Sequence, residues 1–176
     1  NKVKCDSWFV EFVYGSFEQQ PCLLFGEEIR LTVIARRSRH FAGTRYLKRG
    51  ISDDGKVAND VEVEQIIEHV GDGRITSHVQ NRGSIPVFWT QKTSATDPKP
   101  DIILAQSKGA ENVPLPLDPF FFSTRMHLED MISRYGAPIT CLNLVRLKEK
   151  KPREILVGSR FREAIQSINI TTPAKN

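Results

Sequence analysis

Six cationic side chains, Arg36, Arg37, Arg39, Arg45, Lys48 and Arg49, fall within fourteen consecutive positions. Phe41 and Tyr46 are threaded between them, and Ala42-Gly43 sits at the centre. A solvated charge run has no use for those aromatics or for the small pair. The pattern reads as cationic strands bent around a tight point and aimed at an anionic group, a phosphate above all. Arg82 adds a seventh candidate farther along. Strand alternation means that these side chains cannot all face one way. Arg37, Arg39 and Arg45 share parity, Arg36 and Lys48 have the other, and a bulge at Ala42-Gly43 would flip Arg45. Some cations must therefore be structural, and Glu62 and Glu64, two apart on one strand face, are their expected partners, with Asp60 nearby. The same two carboxylates could do acid–base work, but holding arginines is the preferred reading.

Nucleophile chemistry has less to stand on. Phosphoryl transfer through a thiolate needs a cysteine of lowered pKa with an arginine six positions on, so that the guanidinium and the loop amides hold the phosphate oxygens. The three cysteines are Cys5, Cys22 and Cys141, and the residues six positions after them are Glu11, Glu28 and Leu147. None is arginine. Arg146 is one residue too early, and Cys141 lies in an apolar run, where a thiol is usually core. Three irregularly spaced cysteines give no disulfide framework and no metal motif, and a reducing compartment is the default. His40, His69, His78 and His127 lack metal-ligand spacing. No metal and no cofactor is expected. The Asn169-Ile170-Thr171 sequon comes with no sign of secretion.

The chain has 176 residues, 39% hydrophobic, with 25 Lys and Arg against 21 Asp and Glu, so a net charge of +4. That length and apolar content support one domain or part of a larger one. No signal peptide is expected, and no apolar run reaches membrane-spanning length. It begins at Asn1 rather than Met, which reads as a fragment or a processed piece.

The elements that must position these residues start with antiparallel strands. Trp8–Tyr14 is aromatic and β-branched and is ended by Gly15; Arg30–Arg36 follows the Gly26-Glu27-Glu28 turn. Asp53-Asp54-Gly55 signals a hairpin between the basic segment and Val57–Ile67, and Gly71-Asp72-Gly73 another leading into Ile75–Gln80. Asn81-Arg82-Gly83 turns the chain into Ser84–Trp89, which Pro86 restricts to an edge. Residues 93–122 read as loop or insertion around the short buried strand Ile102–Leu104. Then the period changes. Ser123–Tyr135 predicts a helix with Met126, Met131, Ile132 and Tyr135 on one face, stopped by Gly136 and Pro138. Ile139–Val145 predicts a strand covered on both faces, Lys148–Arg153 a charged turn, and Leu156–Ile168 a helix burying Phe161, Ile165 and Ile168. Gly158 weakens the first turn of that helix. The fold class expected is α/β with α+β character: an antiparallel meander over 8–90, then a helix–strand–helix unit over 123–168.

Several blocks, in order, resemble the Sac-domain phosphoinositide phosphatases. They are Arg37-Ser38-Arg39 with Ala42-Gly43-Thr44-Arg45-Tyr46; Arg49-Gly50, Gly55 and Val57-Ala58-Asn59; Glu62-Val63-Glu64-Gln65-Ile66, where the family more often has Thr at Val63; and Arg82–Trp89. Lys99-Pro100-Asp101-Ile102 and Arg134-Tyr135-Gly136 extend the match. Phe41 and Leu47-Lys48-Arg49 are most similar to the subgroup acting on phosphatidylinositol 3,5-bisphosphate.

The resemblance implies part of a larger Sac domain and a parent that cleaves inositol phosphates through a cysteinyl-phosphate on a Cys-x5-Arg loop. In the family that loop lies beyond the stretch this chain matches. Implied partners are the lipid, an anionic membrane surface, and a scaffold protein with a lipid kinase, on the cytoplasmic side of endosomal or vacuolar membranes. The alternatives are a catalytically silent lipid-binding or scaffold module, marked by loss of the Cys-x5-Arg loop, and a nucleic-acid binder, which has no recognisable motif and is set aside.

Overall fold

The computed structural model describes residues 15–40, 49–92, 100–105 and 115–171. The expected strand over 8–14 and most of the 93–114 stretch lie outside these residues. The chain forms two compact units: Asn1–Arg39 with Val61–Arg82, and His40–Asp60 with Gly83–Asn176.

The first unit is a four-stranded antiparallel meander in the order β1-β2-β3-β4: β1 Gly15–Leu24, β2 Glu27–Arg37, β3 Val61–His69 and β4 Ile75–Arg82. β1 departs from the sequence expectation: Gly15, the first described residue, belongs to a strand that runs on to Leu24 rather than ending one. Glu18-Gln19-Gln20-Pro21 are weak strand formers, but among the described strands β1 is an edge, where backbone pairing to β2 decides and a proline is tolerated. The β1–β2 turn is Phe25-Gly26, with φ of 52° and 84°, the pair of positive values that a two-residue type I′ hairpin requires. The β3–β4 loop closes at Gly73 as expected, its amide donating to the His69 carbonyl.

Register assigns the faces. One carries Ile29, Leu31, Val33 and Ala35 beside Val61, Val63 and Ile67. The other carries Arg30, Thr32, Ile34 and Arg36 beside Glu62, Glu64, Ile66 and Glu68. This second face is tied by polar contacts: Gln19 Nε2 donates to Thr32 Oγ1 at 2.8 Å, and Arg30 pairs with Glu68 at 2.7 Å.

The second unit holds β5 Trp89–Lys92, β6 Asp101–Leu104, α1 Phe122–Tyr135 and α2 Glu154–Thr171. Its core is Val87, Phe121, Val157, Ala164 and Ile168, with Ile85, Trp89, Ile102, Leu104 and Leu128 against it. The Asp118 carboxylate caps α1 by accepting from the amides of Phe122 and Ser123. Hydroxyls then dock the first turn of α1: Thr124 Oγ1 donates to the Pro86 carbonyl at 2.6 Å and Ser123 Oγ to that of Asp53 at 3.2 Å. The buried residues of α1 are therefore Ser123 and Thr124 in its first turn, while Met126, Met131 and Tyr135 of the expected stripe are half-buried and Ile132 is 45% exposed. α2 buries Phe161 and Ile168 and runs straight through Gly158, where a side chain would strike Val145.

Three expected strands change. Asp53-Asp54-Gly55 is a turn, but it closes only the isolated bridge Ile51↔Val57, and β3 begins four residues later at Val61. The intervening Ala58 has its amide on the Gly50 carbonyl and its carbonyl on the Ser84 amide, so it is lost to any ladder. Ser84–Phe88 is not a strand: Ser84 N–H goes to Ala58, Val87 N–H to Ile85, and Pro86 has none to give. β4 runs through Asn81 and Arg82, and pairing resumes at Trp89, with β6 rather than with the meander. Ile139–Val145 pairs with no described strand, and Leu142 and Leu144 are 81% and 82% exposed. The α+β class with an antiparallel meander agrees with the expectation from sequence.

Candidate functional site

β2 delivers Arg36 and Arg37 to opposite faces at the same end of the sheet, and their neighbours give them different chemistry. Arg36 stands opposite Glu62 and one step from Glu64. Its guanidinium forks between them, at 2.8 Å to Glu62 and 2.9 Å to Glu64. Ser77 Oγ, from β4, donates to the other oxygen of Glu64 at 3.0 Å. Arg36 thus ties three strands together. The hydrogen bond to Glu64, reinforced by Glu62, holds the Arg36 pKa above its ordinary value, and the bonds from Arg36 and then Ser77 hold the Glu64 carboxyl below the usual carboxylate range. One cation between two carboxylates has no charge left over for a ligand.

On the opposite face Arg37 and Arg82 flank Val61 in one register line, Arg37↔Val61↔Arg82. Two strand spacings separate them, about 10 Å. Arg82 is exposed and makes no ion pair with the described residues. Arg39 follows Arg37 just past the strand end, and both are engaged in contacts. This end of the sheet is the candidate anion site.

Arg49 belongs to the second unit, where its Nε donates to Gln91 Oε1 at 3.0 Å and its guanidinium lies 6.0 Å from the Trp89 ring. It is pinned beside β5 by both contacts. Arg45 and Lys48 lie outside the described residues. Parity alone puts Arg36 and Arg37 on opposite faces, but only the register shows which of them meets the carboxylates.

The second unit also has a cavity of about 370 Å³ lined by Cys141, Arg146, Phe161 and Arg162 among others. Burial pushes the Cys141 thiol pKa up, the reverse of what a nucleophilic thiolate needs. Among the described residues no cluster of His, Cys, Asp or Glu could hold a metal ion, and no helix is long and apolar enough to cross a membrane.

The polar ties give the fold an acid limit. Glu64, Asp101 (held down by Lys151, then Arg153), Asp72 and Glu149 all titrate below the ordinary carboxylate range. The unfolded chain therefore binds protons first, and the stability from these groups is complete above about pH 4.5 and lost as pH falls through their depressed values. Melting temperature followed from pH 7 to pH 3 should hold down to about pH 5 and then drop by several degrees, and Glu64→Gln should make the drop shallower. A flat profile would show that the fork does not couple to folding.

Residues 1–176 match the model of the SacI homology domain, and the chain belongs to that family. Its relatives are phosphoinositide phosphatases. A phosphoinositide phosphatase of Arabidopsis thaliana, SAC2, is 51% identical over 96% of this chain and 20% of its own length. The Arabidopsis phosphatidylinositol-3-phosphatase SAC1 is 46% identical over 92% of this chain and 17% of itself. The polyphosphoinositide phosphatase of Schizosaccharomyces pombe is 41% identical, covering 92% and 20%. The chain spans about a fifth of the length of these curated relatives.

Proposed function

We propose that this chain is the scaffold portion of a phosphoinositide phosphatase that removes phosphate from the inositol headgroup of phosphatidylinositol 3,5-bisphosphate through a cysteinyl-phosphate intermediate. The nucleophile comes from another part of the polypeptide. The protein works on the cytoplasmic side of endosomal or vacuolar membranes, in company with a scaffold protein and a lipid kinase. Membership of the SacI homology family carries the reading. The names of the relatives, one a 3-phosphatase and one a polyphosphoinositide phosphatase, support the substrate class. Arg82 supplies an exposed cation on the face away from the neutralised Arg36, in register with Arg37.

The full-length protein should release phosphate from vesicle-borne phosphatidylinositol 3,5-bisphosphate faster than from the monophosphates. Acid quenching should trap labelled phosphate on a cysteine. Arg82→Ala should lower turnover about tenfold with its melting temperature unchanged, as for a lost charge-assisted contact to an anion. Equal rates on all substrates would remove the subgroup assignment. No phosphate from any of them would leave the second reading, a catalytically silent lipid-binding module, which the exposed Arg82 would serve equally well.

A further inference from the structure

The two hairpin turns of the meander lie at one end of the sheet, and that end is apolar. Phe25 is 99% exposed and Leu23 77%, and Leu24, Val70 and Ile75 are exposed beside them. The loops meet there, since the Val70 amide donates to the Glu28 carbonyl and Ile29 pairs with His69. Scattered exposed apolar residues need no explanation, but five together on a protruding tip do.

The turn adds a second observation. Phe25 holds a φ of 52° at the first position of a type I′ hairpin. Asn, Asp or Gly takes that place at little cost, and a bulky residue is strained there. Folding alone would select Asn-Gly. A strained aromatic at full exposure points to a use outside the fold.

We propose that the Leu23-Leu24-Phe25 tip inserts into the interfacial and upper acyl region of a lipid bilayer. A turn of this kind suits a bilayer better than it suits a groove-and-ridge protein interface, because Leu23 and Leu24, on opposite faces of the strand end, and Phe25 at the turn are all exposed. The charge around it fits insertion rather than adsorption: Glu27, Glu28 and Asp72 stand against Arg74, which is already paired with Asp72 at 2.8 Å. With a net negative rim, attachment at the tip depends on apolar burial and is not weakened by salt, which screens the repulsion from anionic lipid. The arginine end of β2 lies ten residue steps away, about 33 Å, so the two contacts are separable. Insertion rests on the phosphoinositide reading only in that a lipid substrate brings the protein to a membrane.

The test uses the full-length protein and vesicles of phosphatidylcholine and phosphatidylserine without phosphoinositide, so that binding is scored apart from turnover. Phe25→Asn suits the turn and should keep or raise the melting temperature while lowering vesicle partition about tenfold, the worth of one aromatic side chain returned to water. Phe25→Trp should restore partition, and its added fluorescence should be quenched by lipids brominated in the acyl chain. On a soluble short-chain phosphoinositide Phe25→Asn should keep wild-type turnover. The proposal is overturned if Phe25→Asn partitions like wild type, or if the fluorescence of the Phe25→Trp variant is not quenched, in which case the tip meets protein instead. Loss of turnover on all substrates in the wild-type protein would sink the phosphatase reading and leave the insertion result standing.

Discussion

Gly50→Ala is expected to lower the melting temperature by roughly 10 °C, a large effect for a single methyl. Gly50 has a φ of 77°, where an L side chain costs about 1–2 kcal/mol. A Cβ there would lie 2.8 Å from the Trp89 carbonyl oxygen, 2.9 Å from that of Val87 and 3.1 Å from the Trp89 amide nitrogen. All three are backbone atoms, so no rotamer change relieves the contact. Overpacking of that kind adds about 1–3 kcal/mol, and a total of about 3–4 kcal/mol gives the stated shift at this chain length. The site is also a junction: Gly50 N–H donates to Ser84 Oγ at 2.8 Å and its carbonyl accepts from Ala58 at 3.1 Å. Gly71→Ala is the control, because a Cβ there meets nothing within 4 Å. Thermal melts of the two variants settle it. If Gly50→Ala melted with Gly71→Ala, the junction would not be a rigid part of the fold.

That junction explains what the family blocks encode. Arg49-Gly50, Val57-Ala58-Asn59 and Arg82–Trp89 are far apart in sequence, yet Gly50, Ala58 and Ser84 bond to one another directly. Gly83 sits where a side chain would strike Val57. Asp101 anchors Lys151 and Arg153, and Gly136 caps α1 through the Ile132 carbonyl. Among the described residues, several of those that make the family legible are fastenings of the fold. The meander is legible because Arg30–Arg36 and Ile75–Gln80 alternate or are β-branched and Gly71-Asp72-Gly73 punctuates them. β1 is not, since an edge strand of Glu, Gln and Pro carries no hydrophobic period and is fixed by its partner. Ile139–Val145 has the composition of a covered strand, but composition cannot supply the neighbouring strands that would cover it. At the site, parity correctly divides Arg36 from Arg37, yet which of the two meets Glu62 and Glu64 depends on a register set by both hairpins together. Phe25 carries no signal in sequence, because an aromatic before a glycine does not announce a type I′ turn.

The purified 176-residue chain is expected to release no phosphate from any phosphoinositide, a loss of many orders of magnitude relative to an intact enzyme of this chemistry. The uncatalysed hydrolysis of phosphate monoesters is among the slowest of biological reactions, so rate without a positioned nucleophile and its cradle stays near the solvent value. Cys22 stands on the edge strand β1, opposite Ile29, with Glu28 six positions on. Cys141 has Leu147 at that spacing and, though exposed, a thiol whose pKa partial desolvation raises rather than lowers. Cys5 lies outside the described residues and is followed at that spacing by Glu11. Carboxylates would repel the phosphate that the motif's arginine must hold. The chain should nevertheless melt cooperatively and bind anionic headgroups through Arg82, so a phosphate-release assay run beside a thermal melt separates an inert fold from an unfolded one. Sustained, metal-independent turnover by the folded chain, abolished by Cys141→Ser or Cys22→Ser, would overturn this and move the chemistry into the scaffold portion of the polypeptide.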